Sequence, residues 1–187
     1  GLNINFWKNK RVFITGHTGF KGSWLCIFLN LLGAKIVGYA LKPKSKPNLF
    51  YLAKVNNILE KSIIADVRDY KKLYLEIKRS KADILFHLAA QPLVRHSYLH
   101  PKKTFDTNVS GTLNLLNVMK KFGTKSIVFS SSCATYGIPN ALPITEDTNQ
   151  IPINPYGRSK LMIEQILKDY DIAYGIKHIN LRYFNAA

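Results

Sequence analysis

Apolar residues along the chain fall into short runs, and their spacing switches repeatedly between the strand and helix periods. Val12 to Ile14 form the first run, short enough for a buried strand. Gly16, Gly19 and Gly22 follow at a spacing of three, and then Leu25, Phe28, Leu29 and Leu32 at helical spacing. Residues 34–41 predict a second strand. Residues 42–57 are polar, contain Pro43 and Pro47, and read as a loop with a short helix. A third strand over 61–65 ends at Asp66, and a helix is predicted over 70–79. Residues 83–88 make the fourth strand, with its exit turn at 89–92. Val109, Leu113, Leu116 and Met119 mark a helix over 107–122. Strands over 126–129 and 177–181 flank a helix over 155–170. Strands alternating with helices, each strand a β-rich apolar run, predict one α/β domain over 1–187: a doubly wound parallel sheet with right-handed crossovers. Ligands bind at the carboxyl ends of such strands, where Gly16, Tyr39, Asp66, Ala89, Ser132 and Tyr183 fall. Trp7 and Trp24 are expected in the core.

Three stretches carry chemistry. Strand, glycine-rich turn and helix is the context of a dinucleotide loop. The first glycine allows a tight turn, the second lets a pyrophosphate approach the backbone, the third lets helix and strand pack closely, and the helix start supplies free N–H groups. The second stretch, Ser130 to Gly137, directly follows the fifth strand, and the third, Tyr156-Gly157-Arg158-Ser159-Lys160, opens a helix after Pro155. Tyr156 and Lys160 are four apart and share a helical face. A cation beside a phenol favours the phenolate, so the Tyr156 pKa is expected to be lowered, making a base for a sugar hydroxyl. Lys160 is also suited to hold a cofactor ribose, and Ser132 to donate to the oxygen that becomes a carbonyl. His17 reads as a turn residue, His87 as a packed strand-end histidine and Cys133 as packing. Arg95, His96 and Tyr98 suit substrate, solvent or partner contact.

Composition changes this picture little. The 187 residues are 47% hydrophobic and 20% charged, a globular balance. The formal net charge of +16 comes from scattered lysines such as Lys35, Lys54, Lys81 and Lys168, with one tight cluster at Lys42, Lys44 and Lys46. Such a surface attracts an anionic ligand, and no nucleic-acid partner is expected. The two cysteines, Cys26 and Cys133, form no CxxC, and no metal site is expected. No long apolar run predicts a membrane span, and residues 1–10 lack the apolar core of a signal peptide. Reduced thiols and a cytoplasmic location are the expectation.

The motifs together resemble the extended short-chain dehydrogenase/reductases, the family of nucleotide-sugar epimerases and dehydratases. Thr15 to Gly22 (TGHTGFKG) matches the family's TGxxGxxG loop. His87 to Gln91 matches its strand-four exit, Thr107 to Thr112 its TNxxGT, Tyr156 to Lys160 its YxxxK, and Leu181 to Ala187 its segment near nicotinamide and substrate phosphate. Within that family, residues 6–25, 38–43 and 86–98 resemble CDP-glucose 4,6-dehydratase, whereas residues 129–137, 155–167 and 181–187 resemble UDP-glucose 4-epimerase. The chain reads as a hybrid.

The resemblance implies an NAD-binding Rossmann fold and a homodimer through the helices near 101–122 and 155–170. Both reactions begin by oxidising sugar C4 with held NAD. A dehydratase also removes water across C5 and C6, and its pattern places an Asp after the catalytic hydroxyl residue. Here Cys133 and Ala134 follow Ser132, which favours a UDP-glucose/UDP-galactose 4-epimerase over the dehydratase; a non-catalytic NAD-binding fragment is the reading from another class. By the resemblance Gly16, Thr18, Gly19, Phe20 and Gly22 hold the pyrophosphate, and Asp66 and Val67 border the adenine. Leu88, Ala89, Ala90 and Asn108 lie along the cofactor, with Tyr183 and Phe184 toward nicotinamide. Ser132, Tyr156 and Lys160 are catalytic; Ser132, Tyr156 and Asn185 meet the nucleotide-sugar substrate. Strand two lacks the usual acidic end and ends Tyr39-Ala40-Leu41 before Lys42, so NAD is favoured and NADP stays open. The family's smaller substrate lobe is expected to be missing after Ala187.

Overall fold

The computed structural model describes residues 3–185. In chain order the elements are α1 (Ile4–Trp7), β1 (Arg11–Thr15), α2 (Phe20–Leu31), β2 (Lys35–Ala40), α3 (Leu49–Leu52), β3 (Lys61–Ile64), α4 (Tyr70–Ser80), β4 (Ile84–His87), α5 (Val94–Leu99), α6 (Pro101–Phe105), α7 (Gly111–Phe122), β5 (Ser126–Ser132), α8 (Pro155–Tyr174) and β6 (Lys177–Tyr183). The strands form one sheet in the order β3-β2-β1-β4-β5-β6, with every neighbouring pair parallel. After β3 the chain returns to the other side of β1, so the winding reverses between β1 and β4. That reversal opens a crevice at the carboxyl end of the sheet.

The strands read as continuous apolar runs because both faces of the sheet are covered over most of its width. On one face Phe13, Tyr39, Leu85 and Phe129 pack under α4, α7 and α8, through Leu73, Leu115 and Ile163. On the other, Val12, Ile14 and Ile36 pack under α2 and α3, through Cys26, Leu29 and Phe50. Trp7 leans on this second cluster as expected. Trp24 does not: it is 52% exposed. Among the described elements, none covers β5 and β6 on the α2 side. There Trp24, Phe28, Val128, Leu181 and Tyr183 line an open cleft of about 480 Å³. Burying Trp24 would take a further layer on that face, a long-range fact that local spacing does not report.

Several boundaries differ from expectation, the end of α8 at Tyr174 among them. Helix begins at Pro101 rather than at Thr107, and α6 runs into α7 through one widened turn, Asp106–Ser110, that buries Asn108. Such a turn inserts a residue into the helical ladder. β5 runs on through Ser130–Ser132 and β6 through Tyr183, because these residues pair with one another (Ser130 with Leu181, Ser132 with Tyr183). Ladder bonds satisfy their backbone, so polar side chains do not end the strands. His17 does lie in a turn, yet it is wholly buried, with Nε2 2.7 Å from Ser62 Oγ and its ring edge-on to Phe50.

Candidate active site

The predicted site residues sit at the carboxyl end of the sheet and divide between two stations. The first is the glycine loop. Gly16 adopts φ +81°, and a Cβ there would press on Ala89 N and Leu88 C at 2.8 Å. A Cβ on Gly22 would run into the Gly16 carbonyl. These two positions let β1, the β4 exit and α2 meet. Thr15 secures the junction, its Oγ1 accepting from the Leu88 and Ala89 N–H groups at 3.1 Å each. Gly19 is different: a Cβ there would meet only the Gly16 carbonyl oxygen, at 3.5 Å, and no side chain caps the start of α2. The helix N-terminus is therefore an open cradle with free donors and a partial positive charge, which fits a nucleotide pyrophosphate. Thr18 donates to Leu41 O at 2.7 Å, and Phe20 is exposed beside it.

Around this cradle the expectations divide. Ala89 and Ala90 are half-buried along the β4 exit, next to Leu88. Asp66 stands at the end of β3, its carboxylate gripped by Arg68 (Nε to Oδ1 3.0 Å, Nη2 to Oδ2 2.6 Å), which holds it below the usual carboxylate range. Val67 turns its side chain into the core and packs where a Gly111 side chain would be. Asn108 is buried beside the β4 exit. Its Oδ1 accepts from Gln91 N at 2.8 Å and its Nδ2 donates to Ser159 Oγ at 2.9 Å. Buried and fully bonded, it pins the β4 exit to α8.

The second station is built where α8 meets β5. Asn154 caps α8, its Oδ1 accepting from Gly157 N at 2.7 Å, and Pro155 fills the first helical position. Gly157 lies so close to the Ala134 carbonyl that any Cβ would collide with it. This seats the helix start on the short turn Cys133–Thr135 and brings Tyr156 to Ser132. Ser132 Oγ accepts from Ala134 N at 3.1 Å, leaving its proton free to donate. Lys160 is buried one turn further along α8, with Nζ donating to Ser130 O at 2.7 Å.

Electrostatics corrects one expectation. The Tyr156 pKa is raised, not lowered: burial favours the neutral phenol, and the facing Ser132 hydroxyl offsets only part of this. The Lys160 ammonium is itself pushed down to about 7 by burial and by Lys21, against an opposing pull from Glu164. Charge next to a phenol helps the phenolate only while the cation is held, and here desolvation penalises both groups. At neutral pH the site presents a protonated Tyr156 and a readily deprotonated Lys160. His87 is buried between Thr15 Oγ1 (2.6 Å) and Thr112 Oγ1 (2.7 Å), and burial pushes it to about 3, so it packs and does not titrate.

Toward β6, Tyr183 is half-buried, whereas Phe184 is 60% exposed and Asn185 exposed. Ala186 and Ala187 lie outside the described residues. Within α5, Arg95 is exposed, and Tyr98 donates to Ile153 O at 3.1 Å. Sequence reasoning missed Lys21, which crosses from the glycine loop to Ser130 Oγ at 2.8 Å. It also missed Glu164, which Arg182, Ser131 and Gln150 hold at the back of α8. Their only local signal is charge at positions that otherwise read as core. No cluster of metal ligands occurs among the described residues, and none of their helices is long and apolar enough to cross a membrane.

Comparison with known proteins agrees with this geometry. The family model described as GDP-mannose 4,6 dehydratase matches residues 13–187. The CDP-glucose 4,6-dehydratase of Salmonella typhimurium is 50% identical over 136 residues, 72% of this chain and 38% of that protein. The UDP-glucose 4-epimerase of Rhizobium meliloti is 38% identical over 180 residues, 96% of this chain and 53% of that protein. The crystal structure of UDP-glucose 4-epimerase from Bifidobacterium longum in complex with NAD+ and UDP superposes with a TM-score of 0.85 at 37% identity, covering 93% of this chain and 53% of that one. The chain thus spans about half, or less, of the length of these relatives. Its parallel six-stranded sheet, nucleotide loop and Ser/Tyr/Lys station place it, plainly, in the extended short-chain dehydrogenase/reductase family of nucleotide-sugar epimerases and dehydratases.

Proposed function

We propose that the chain is the NAD-binding and proton-handling part of a nucleotide-sugar 4-epimerase of the UDP-glucose/UDP-galactose type, acting through a transient 4-keto sugar. The observation that carries this reading is the meeting of Ser132, Tyr156 and Lys160 at the end of β5, across the crevice from an uncapped glycine cradle. Bound NAD would take a hydride from sugar C4 and return it to the opposite face. Ser132, with its proton free, orients the C4 oxygen. Tyr156 exchanges the hydroxyl proton with that oxygen, and Lys160 supplies the nearby charge that moves the Tyr156 pKa when it holds its own proton. Gly16, Gly19 and Gly22 hold the pyrophosphate. Exposed Phe184 and Asn185 are left for nicotinamide and substrate. The absence of an acidic side chain at the end of β2 keeps NADP as the competing cofactor, decided by titration against both.

A CDP-glucose 4,6-dehydratase is the second reading, supported by the 50% identical relative. Against it stands the turn after Ser132. Cys133 and Ala134 occupy the positions where water removal across C5 and C6 needs an acid. Remote substrate binding supports the chemical step. As the relatives carry about as much chain again, we expect residues 1–187 alone to bind NAD with weak or no turnover. Purified chain with NAD, UDP-galactose and CDP-glucose, followed by proton NMR, tests this. UDP-glucose signals that disappear with Tyr156→Phe establish the epimerase, and a new C6 methyl signal establishes the dehydratase. Neither signal, with NAD bound, leaves a cofactor domain. A homodimer through the helices near 101–122 and 155–170 is the matching proposal for assembly, read by light scattering.

A further inference from the structure

Lys21 is the charged side chain of the glycine loop to which the reading above gives no task. It stands in the first turn of α2, where unpaired N–H groups already create a partial positive charge, and a cation there is disfavoured. No carboxylate offsets this: among the described residues none of the ion pairs involves Lys21 or Lys160. Instead the Lys21 ammonium donates to Ser130 Oγ at 2.8 Å and lies 4.0 Å from the centroid of the Tyr183 ring. Lys160 reaches the same Ser130 through its carbonyl, at 2.7 Å. Two lysines flank one residue of β5, and Lys21 raises the cost of the Lys160 charge. Burial already pushes the Lys21 pKa down. An uncharged side chain of similar length would fill the space without these penalties.

The direction of the side chain shows what the charge faces. The cradle at Gly16, Gly19 and Gly22 and the hydroxyls of Ser132 and Tyr156 mark the two ends of the proposed reaction line. A nicotinamide that exchanges a hydride with the sugar must lie between them, and Lys21 reaches from the first turn of α2 into that interval, to Ser130 (two residues along β5 from Ser132) and to Tyr183, which pairs with Ser132. We propose that Lys21 sets the redox balance of the bound cofactor: its ammonium repels the cationic ring of NAD+ and leaves the neutral ring of NADH unopposed. The bound couple is then a stronger oxidant than the free one, which favours removal of the C4 hydrogen. This inference rests on the NAD-binding reading.

The test is a pair of titrations, NAD+ and NADH separately, on the wild-type chain, Lys21→Met, Lys21→Gln and Lys21→Arg, with thermal melts to establish that each is folded. Both uncharged variants are expected to bind NAD+ about tenfold more tightly relative to NADH than the wild type does. That is a fall of about 30 mV in the potential of the bound two-electron couple. Lys21→Arg keeps the wild-type ratio. If affinities for NAD+ and NADH change together, Lys21 serves the pyrophosphate they share or only packing, and the inference is overturned while the cofactor reading stands. If the wild-type chain binds neither form, the cofactor reading falls and this inference falls with it.

Discussion

The two halves of the sheet solve their covering problem differently. Around β1–β3 both faces are packed, α2 and α3 on one side and α4 on the other, and the glycine cradle rests on this closed base. Around β5–β6 only the α8 side is packed, and the other presents Trp24, Phe28, Val128 and Leu181 to an open cleft. The half that carries the glycine loop is self-contained. The half that carries Ser132 is finished on one face only, and it holds itself together by polar means, through Arg182, Glu164, Ser131 and Gln150 between β6, α8 and β5. The chain spans about half the length of these relatives, and its packing is closed around the glycine loop and open beside β5 and β6.

The strongest way to break this contrast is at the closed base. Gly22→Val puts side-chain atoms where the Gly16 carbonyl already sits. The loop must move, and we expect at least a hundredfold loss of NAD+ affinity with a stability cost of about 3 kcal/mol. Titration and urea denaturation read the two effects. If NAD+ affinity survives unchanged, the cradle is not the nucleotide site. In the half-covered region the matching break is Glu164→Leu. Burial pushes the Glu164 carboxyl up, but Arg182, Ser131 and Gln150 together pull it below its usual range, so the pair is held charged. Removing the carboxylate leaves Arg182 without its partner. The guanidinium is 22% exposed, and solvent relieves some of that cost, so about 2–3 kcal/mol is expected, with NAD+ affinity nearly unchanged.

Much of this was legible in the sequence, for reasons visible residue by residue. Strand runs, glycine spacing and the Tyr156–Lys160 interval are local features set by backbone sterics and helical period, and the structure follows them closely. What escaped depends on distant partners. The sequence places Asn108 near the site but cannot show that Gln91 and Ser159 take up its amide. Trp24 reads as core until the layer above it is found missing among the described elements. The sign of the Tyr156 shift was misread because the spacing shows a cation nearby but not the burial that weakens cation and phenolate alike.

Titration separates the two halves without touching either interface. His17, in the closed half, is held neutral, its pKa lowered by burial to about 4. The unfolded chain protonates first, near 6.5, so its contribution is intact above that pH and is lost as the pH falls toward 4, by about 3–4 kcal/mol. Lys160, beside the open half, is lowered to about 7, whereas an unfolded lysine holds its proton to about 10.4. Between those values the unfolded state binds more protons, so stability rises with pH, by about 4–5 kcal/mol. Denaturation midpoints across pH 4–10 should show both slopes. Lys160→Met should flatten the alkaline one alone, and His17→Gln should reduce the acid one alone. If each substitution altered both slopes, the two halves would be coupled and the contrast drawn here would fail.

The smallest effect compares two faces of one helix. Leu29 of α2 is buried against the sheet, and Leu29→Ala should cost about 2–5 kcal/mol. Trp24 is larger, but it is half in solvent over the cleft, and Trp24→Gln should cost less than about 1 kcal/mol. The same change should weaken binding of an apolar dye, because the patch it interrupts is the exposed face beside Val128 and Leu181. A Trp24→Gln cost as large as that of Leu29→Ala would mean that this face is covered in solution. Light scattering would then show whether a second copy does the covering, and the open half would be open only in the isolated chain.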